Sequence, residues 1–284
     1  MRRTLALLLC VGSIALAGAA SSRPAAAQDK PMIDDVKARG VLRAGVKNDA
    51  PFLGFVDDQG KLAGFEIDLI TDIARRLGVK LELEPVTTSN RVQLLQQKRL
   101  DLLIATVSHY RSRDKVVDFS IPYLYTPQTL LVKAGSGIAS VADLAGKRVG
   151  ADAGSGAVKR IPEVQPKATV QTFQGWPEAF FALERGTVDA IGTDNILLAG
   201  LRSAAPHPEE FALLGKPGFY SGGYYAIALR ENDSKSRDEI NFLLQDQWND
   251  GTWQRAFDKW LGKDSKLKLT LADFDDFKME IWEP

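Results

Sequence analysis

Residues 64–78 read GFEIDLITDIARRLG, and this stretch decides the prediction for the fold. Its apolar residues Leu69, Ile73 and Leu77 recur at a spacing of four, which places them on one face of an α-helix. Gly78 follows at the position where a helix commonly ends with a left-handed residue. We expect the acidic residues to face solvent and the apolar ones to face the core. The stretch therefore predicts an amphipathic helix packed on the protein core.

Short apolar runs alternate with helical patterns along the rest of the chain. This alternation indicates βαβ units and mainly parallel sheets, so the predicted fold class is α/β. The predicted strands are Val41–Lys47, Leu81–Val86, Asp101–Ala105, Thr129–Lys133, Arg148–Ala151, Val170–Phe173, Ala190–Thr193 and Tyr224–Leu229.

A weak internal repeat makes Thr106 and Asp194 equivalent residues at the carboxyl ends of two strands. Ligands of open α/β sheets bind at such ends, so two lobes facing each other would place both residues in one cleft. Alternatively, the two copies are similar by chance, because helix–turn–strand patterns recur in α/β proteins. The first copy is Leu94-Leu95, Leu100-Asp101-Leu102 and Thr106; the second is Ala182-Leu183, Val188-Asp189-Ala190 and Asp194.

Residues 1–27 have the features of a cleavable signal peptide. Two arginines precede the apolar run Leu5–Ala17, and three alanines follow at 25–27. The run is shorter than the roughly 20 residues that a bilayer span needs, which disfavours a membrane anchor. We expect an exported mature chain that begins near Gln28.

The composition fits an exported protein without nucleic-acid partners. The chain has 36 basic and 36 acidic residues, and residues 1–27 carry three arginines and no acid, so the mature charge is −3. This balance disfavours nucleic acid as a partner. Cys10 falls within the signal peptide, so we expect a mature protein stabilised by its core alone. No later apolar run reaches membrane length, and the mature protein is expected to be soluble.

Two chain crossings are expected to divide the mature protein into lobes. Pro122 and Pro127 bracket an aromatic stretch, and Gly222-Gly223 supplies backbone freedom for a hinge. The predicted first lobe comprises residues 28–125 and 222–284, and the predicted second lobe comprises 126–221. Two helices within 234–261 are expected to pack on the first lobe. Residues 264–284 are expected to form a tail on the surface of a lobe.

Several motifs then follow in order along the chain. They are Gly64-Phe65-Glu66, Val107-Ser108 to Arg113, Asp118-Phe119-Ser120, Ala142 to Lys147, Val188-Asp189-Ala190 and Gly251-Thr252-Trp253 to Trp260. With them, residues 41 to about 262 resemble the bacterial extracellular solute-binding proteins, family three. The resemblance implies a two-lobed periplasmic binding protein fold, each lobe a mainly parallel sheet flanked by helices, joined by two hinge crossings. It also implies a monomeric periplasmic receptor, without cofactor or enzyme activity, that delivers an amino acid to the membrane permease of an ABC importer.

The resemblance also implies how the ligand's charged groups are bound. Arg113 matches the family's carboxylate clamp, since a guanidinium can donate two parallel hydrogen bonds. Asp194 matches the acceptor of the α-ammonium group, while Thr106 and Ser108 are expected to add hydroxyl and backbone groups. Two alternatives stay open: Arg113 as a surface residue of a basic loop, and Asp194 as the N-cap of the helix after it.

Further contacts are expected from both lobes. Ser155, between Gly154 and Gly156, matches a turn whose free N–H groups can meet an anion; alternatively it is a simple turn. Trp176 stands where relatives of acidic specificity have an aromatic residue, with ordinary packing as the alternative. Phe52 is likewise expected to line the cleft, from the side of the first lobe.

Lys47 and Arg91 carry the prediction for specificity. Both resemble the glutamate/aspartate-binding branch, and a second ligand carboxylate needs cationic partners once water is excluded. With Arg113 and Asp194 they give a predicted pocket charge of +2, suited to glutamate or aspartate, with glutamine left open. The alternatives are an exposed lysine at a strand end and a solvated helix arginine.

Two other functions are possible on this fold. Some relatives are cyclohexadienyl dehydratases that act on arogenate or prephenate, which requires a general acid near the substrate ring. No unassigned acid is placed for that role, because Asp194 already serves the ammonium group. A sensor acting through a partner protein is the other possibility. His109 and His207 show no metal-ligand spacing, so no metal is predicted.

Overall fold

The structure is a computed structural model that describes residues 30–282. The predicted signal peptide, residues 1–27, lies outside the described residues. Within the described part, no helix is both long and apolar enough to cross a membrane.

Helices and strands alternate as the sequence predicts. The helices are α1 (Met32–Arg39), α2 (Phe65–Leu77), α3 (Arg91–Gln96), α4 (Ala157–Val164), α5 (Trp176–Glu184), α6 (Asn195–Ala204), α7 (Ser234–Asn249) and α8 (Thr252–Trp260). The strands are β1 (Val41–Val46), β2 (Asp49–Ala50), β3 (Gly54–Val56), β4 (Leu62–Ala63), β5 (Lys80–Pro85), β6 (Leu102–Leu103), β7 (Asp118–Lys133), β8 (Arg148–Asp152), β9 (Thr169–Phe173), β10 (Ala190–Asp194), β11 (Phe211–Leu213) and β12 (Ser221–Leu229).

One curled sheet runs through the molecule in the order β5-β1-β6-β12-β7-β10-β8-β9, with β11 paired to β7. Strands β5, β1 and β6 are parallel at one end, and β10, β8 and β9 are parallel at the other. The antiparallel strands β7 and β12 join the two ends. We call the part around β1, β5 and β6 the first lobe and the part around β8, β9 and β10 the second lobe. This two-lobed α/β architecture confirms the predicted fold class.

The strand predicted at 129–133 is the end of a much longer one. Strand β7 has 16 residues and passes through Pro122 and Pro127 without a break. Proline lacks an N–H donor and usually disrupts a sheet, and the β7–β12 register shifts where Ala226 faces Pro122. The chain thus crosses between lobes as an extended strand. The predicted lobe limits themselves stay a prediction.

The amphipathic helix forms as predicted, and the C-terminal tail is more buried than predicted. Gly78 ends α2 in a left-handed conformation, with φ 69°. Helices α7 and α8 pack on α2, where Gln247 Nε2 donates to Leu69 O at 2.9 Å. The predicted surface tail is wrong for its middle part. Phe274 and Phe277 are buried in the main core, because aromatic side chains gain most from leaving water.

Candidate functional site

A small cavity lies where the carboxyl ends of the two lobes' strands face each other. Eight of the ten predicted ligand-binding residues line it, and the described structure adds three more. Lys47 and Phe52 do not line it. The lining residues are Thr88, Arg91, Thr106, Ser108, Arg113, Ser155, Gly156, Trp176, Thr193, Asp194 and Leu197.

Arg113 holds its guanidinium between the lobes. Nη1 donates to Ser108 O at 2.7 Å in the first lobe, and Nη2 donates to Gly154 O at 3.3 Å in the second. Burial, followed by the nearby Arg91, lowers the pKa of Arg113 to about 10, so it stays cationic at neutral pH. Arg111 is exposed on the same loop, whereas Arg113 lines the cavity. The surface-loop alternative therefore does not describe Arg113.

Asp194 ends β10 and presents a buried carboxylate. It occupies the N-cap position of α6, yet its side chain makes no capping hydrogen bond. The Gln128 Nε2 donor lies 3.5 Å from Oδ1, and Thr193 Oγ1 lies 3.4 Å from Oδ2. Burial raises the pKa of Asp194 to about 6, with the neighbouring Tyr225 hydroxyl acting in the opposite direction. Because the carboxylate lines the cavity and makes no capping bond, it can accept a further hydrogen bond from a ligand.

Glu66 is the residue that the sequence analysis missed. We expected the acids of 64–78 to face solvent, but Glu66 is 0% exposed. Its Oε1 accepts from Thr106 N at 2.8 Å and from the Tyr123 hydroxyl at 2.5 Å, and burial raises its pKa to about 7. The signal was present, since Glu66 shares a helix face with Leu69 and Ile73.

Thr106 has a left-handed backbone, with φ 52°, at the carboxyl end of the first-lobe strand. That conformation is costly for a β-branched residue and persists only where neighbours fix it. Glu66 fixes its N–H, and Arg91 Nη1 donates to its carbonyl and hydroxyl oxygens at 3.3 Å each. The repeat predicted Thr106 and Asp194 in one cleft, and both line the same cavity. The left-handed turn was not foreseen.

Arg91 is buried under the cavity. It is 2% exposed, which rules out the alternative of a solvated helix arginine. Nη1 also donates to Ala105 O, while Nε is buried with no hydrogen-bond partner. A buried guanidinium donor left without an acceptor is costly, so this one is suited to an acceptor on a ligand.

Lys47 is buried in an ion-paired cluster instead of in the cavity wall. Nζ lies 2.9 Å from Asp49 Oδ1, 3.8 Å from Asp152 Oδ2 and 3.1 Å from Thr88 Oγ1. Thr88 in turn donates to Asp152 at 2.5 Å. The predicted pocket charge of +2 is therefore wrong, because it counted Lys47 and omitted the two aspartates that pair with it.

The charge on the cavity wall is +1, from Arg91 and Arg113 against Asp194. Both aspartates around Lys47 were missed by the sequence analysis. Asp49 follows Lys47 by only two residues, so this partner is close in the sequence. Asp152 reaches Lys47 from the second lobe, which no sequence spacing could reveal.

Of the two aromatic residues predicted to line the cleft, Trp176 lines the cavity and Phe52 does not. Trp176 is 2% exposed, lines the cavity, and donates its backbone N–H to Asp49 Oδ2 at 3.4 Å across the lobes. Phe52 has φ 66°, and its ring lies beside Gly200 of α6, where an added β-carbon would be 3.4 Å from Phe52 Cδ2. Phe52 thus packs between the lobes, outside the cavity lining.

This geometry agrees with the comparison to known families. Residues 42–263 match the model of the bacterial extracellular solute-binding proteins, family 3. The chain belongs to this family. It is 34% identical over 264 residues to the ABC transporter glutamine-binding protein GlnH of Bacillus subtilis, covering 90% of this chain and 95% of that protein.

Other relatives of this solute-binding protein have different names. The glutamate/aspartate import solute-binding protein of Salmonella typhimurium is 28% identical, covering 90% of this chain and 87% of that protein. The crystal structure of an ancestral amino acid-binding protein, a precursor of cyclohexadienyl dehydratase, has a TM-score of 0.74 and 30% identity, covering 82% of this chain and all of that one.

The lobes of this solute-binding protein meet at glycines. At Gly154 a β-carbon would lie 3.0 Å from Ser89 Cα and from Thr88 O, both in the first lobe. At Gly156 it would lie 2.6 Å from the Tyr110 hydroxyl. The closed arrangement therefore needs a bare backbone on the second-lobe side.

We expect Gly154→Ala to weaken ligand binding about tenfold, because the methyl group obstructs closure without removing a ligand contact. Gly146→Ala is the matched control. Both glycines are left-handed, with φ 83° and 75°, but nothing lies within 4 Å of a β-carbon at Gly146. Calorimetry measures the affinity, and small-angle scattering measures compaction with ligand. Equal affinities of the two variants would contradict the closed contact.

Proposed function

We propose that this protein captures an acidic amino acid, glutamate or aspartate, between its lobes and delivers it to the permease of an ABC importer. The proposal includes export to the periplasm by the signal peptide at 1–27. Family membership supports the solute-binding role, and the wall charge of +1 supports an anionic ligand.

The amino-acid part of the proposal rests on two opposite charges that face the same cavity. Arg113 can donate to an α-carboxylate, and Asp194 can accept from an α-ammonium group. Ser108 lines the cavity together with these two residues, and Arg113 donates to its carbonyl oxygen at 2.7 Å. An ion buried without its counter-charge is strongly disfavoured, so this arrangement selects a zwitterion.

The acidic side chain is inferred from Arg91, and this is the observation that carries the proposal. Once Arg113 and Asp194 have paired with the ligand's backbone groups, Arg91 remains as the second cation of the cavity wall, while Asp152 and Glu66 act on it from outside the lining. Its buried Nε has no protein acceptor. A side-chain carboxylate would supply the acceptor, and its charge would balance the +1 of the lining residues.

Glutamine is the second candidate. Lys47 is already paired with Asp49 and Asp152, so fewer cations are available than the sequence predicted. An amide oxygen could also accept from Arg91, but it would leave the +1 charge of the lining residues unbalanced. The enzyme alternative is less favoured, since the buried acid Glu66 is bonded to Thr106 and Tyr123 and does not line the cavity.

Calorimetric titration of ligand-free protein with glutamate, aspartate and glutamine tests the proposal. We expect Arg91→Gln to weaken glutamate binding by about 100-fold while changing glutamine binding far less, because only the carboxylate loses a counter-charge. Arg99→Gln, an exposed arginine nearby, is the control. Tighter binding of glutamine than of glutamate by the unmodified protein would favour the second candidate, and turnover of prephenate would favour the enzyme.

A further inference from the structure

A basic groove adjoins the ligand cavity. Arg113, Ser155 and Gly156 belong to the linings of both, so the groove and the cavity lie on either side of these residues. The groove is much larger than the cavity and is more open to solvent. Both lobes contribute to its walls. A ligand that reaches the cavity from this side must pass along the groove.

Four more cations line the groove: Arg111 and Lys115 on the first lobe, and Lys159 and Arg160 on α4 of the second. Glu163 pairs with Arg160 at 3.0 Å and approaches Lys159 at 3.8 Å. Among the described residues, neither Arg111 nor Lys115 has an ion pair or a side-chain hydrogen bond, and both are exposed. With Glu163 counted, these exposed walls carry a net charge of +3.

This concentration of positive charge contrasts with the rest of the chain. The whole chain is formally neutral, so other surfaces balance the groove. Cations on both sides of a narrow space reinforce one another's field and raise the local concentration of anions. A zwitterion of zero net charge gains little from such a field, whereas a ligand of charge −1 is attracted before it touches the site.

We propose that this groove is the ligand's entry path and that its cations speed the association of an anionic amino acid. The inference rests on the proposed function, since it requires an anionic ligand. The four exposed cations act on the encounter and not on the bound complex. Removing them therefore changes the association rate constant and its salt dependence, and leaves the dissociation rate constant nearly unchanged.

Stopped-flow fluorescence with glutamate tests this, using the cavity residue Trp176 among the reporters. We expect the association rate constant to fall several-fold between about 10 and 300 mM salt, because added ions screen the groove. A triple variant, Arg111→Gln/Lys115→Gln/Lys159→Gln, is expected to lose about tenfold in this rate constant at low salt and most of its salt dependence.

The matched control removes three exposed lysines elsewhere, Lys61→Gln/Lys80→Gln/Lys266→Gln, and so changes the net charge equally. We expect it to associate at nearly the unmodified rate. If both triple variants behave alike, or if glutamate binds tightly at a salt-independent rate, the entry path is overturned while the proposed function stands. If glutamate does not bind at equilibrium, the proposed function fails first and this inference fails with it.

Discussion

Arg113→Ala is expected to abolish amino-acid binding at ordinary concentrations. Truncating one partner of a buried, hydrogen-bonded charge pair costs about 2–5 kcal/mol, which corresponds to a loss of roughly 30- to 3000-fold in affinity. Arg113 also donates to Ser108 O and to Gly154 O, so its removal loosens both the ligand and the contact between lobes. Calorimetry with glutamate measures the loss.

Two further variants show whether a loss of glutamate affinity is due to the guanidinium of Arg113. Arg113→Lys keeps the charge but not the planar fork, and we expect it to fall between the unmodified protein and the alanine variant. Arg185→Ala removes an exposed arginine that lies over Phe181, 4.1 Å from its ring centroid, and serves as the control. If the affinity of Arg113→Ala for glutamate were within a factor of about three of the control's affinity, the prediction that Arg113 binds the ligand's carboxylate would be wrong.

Asp194→Asn is expected to lose binding and to gain stability. The ligand's ammonium group loses its anionic partner, so we expect affinity to fall by about 100-fold or more. At the same time, a carboxylate whose burial raises its pKa to about 6 destabilises the folded state whenever it is ionised. Replacing it should raise the free energy of unfolding of the ligand-free protein at pH 7 by on the order of 2 kcal/mol.

The pH dependence has a definite sign. In the unfolded chain the pKa of an aspartate is 3.8, lower than in the folded state, so protonation favours folding. The stabilising effect of the proton is complete below about pH 4 and is lost as the pH rises through about 6. The difference in stability between Asp194→Asn and the unmodified protein should therefore be small at pH 4 and full above pH 7.

Urea unfolding of ligand-free protein between pH 4 and pH 8 measures this difference. Asp189→Asn is the control of opposite sign, because hydrogen bonds from Arg148 lower the pKa of Asp189, and removing its charge should destabilise the protein at neutral pH. If the difference in free energy of unfolding between Asp194→Asn and the unmodified protein did not change with pH, burial would not be destabilising the ionised carboxylate.

Residue spacing predicted the helices and strands that depend only on neighbouring residues. The four-residue spacing in 64–78 and Gly78 predicted α2 and its end, and the alternating runs predicted the parallel strands of both lobes. The repeat placed Thr106 and Asp194 at matching strand ends, and they line one cavity. Local patterns failed at β7, because an extended strand through two prolines depends on its partner β12.

The α/β class, the order of the main elements, the family and eight of the eleven residues that line the cavity could be predicted from the sequence. These follow from periodicity, turn residues and motifs, each of which depends on neighbours a few residues apart. The ion pairs around the cavity could not be predicted in this way. Asp152 reaches Lys47 from the other lobe, and Glu66 lies buried beside Arg91, because closure and burial set which ions are paired. Pairing depends on distances and on exclusion of water, and neither can be read from residue types along a chain.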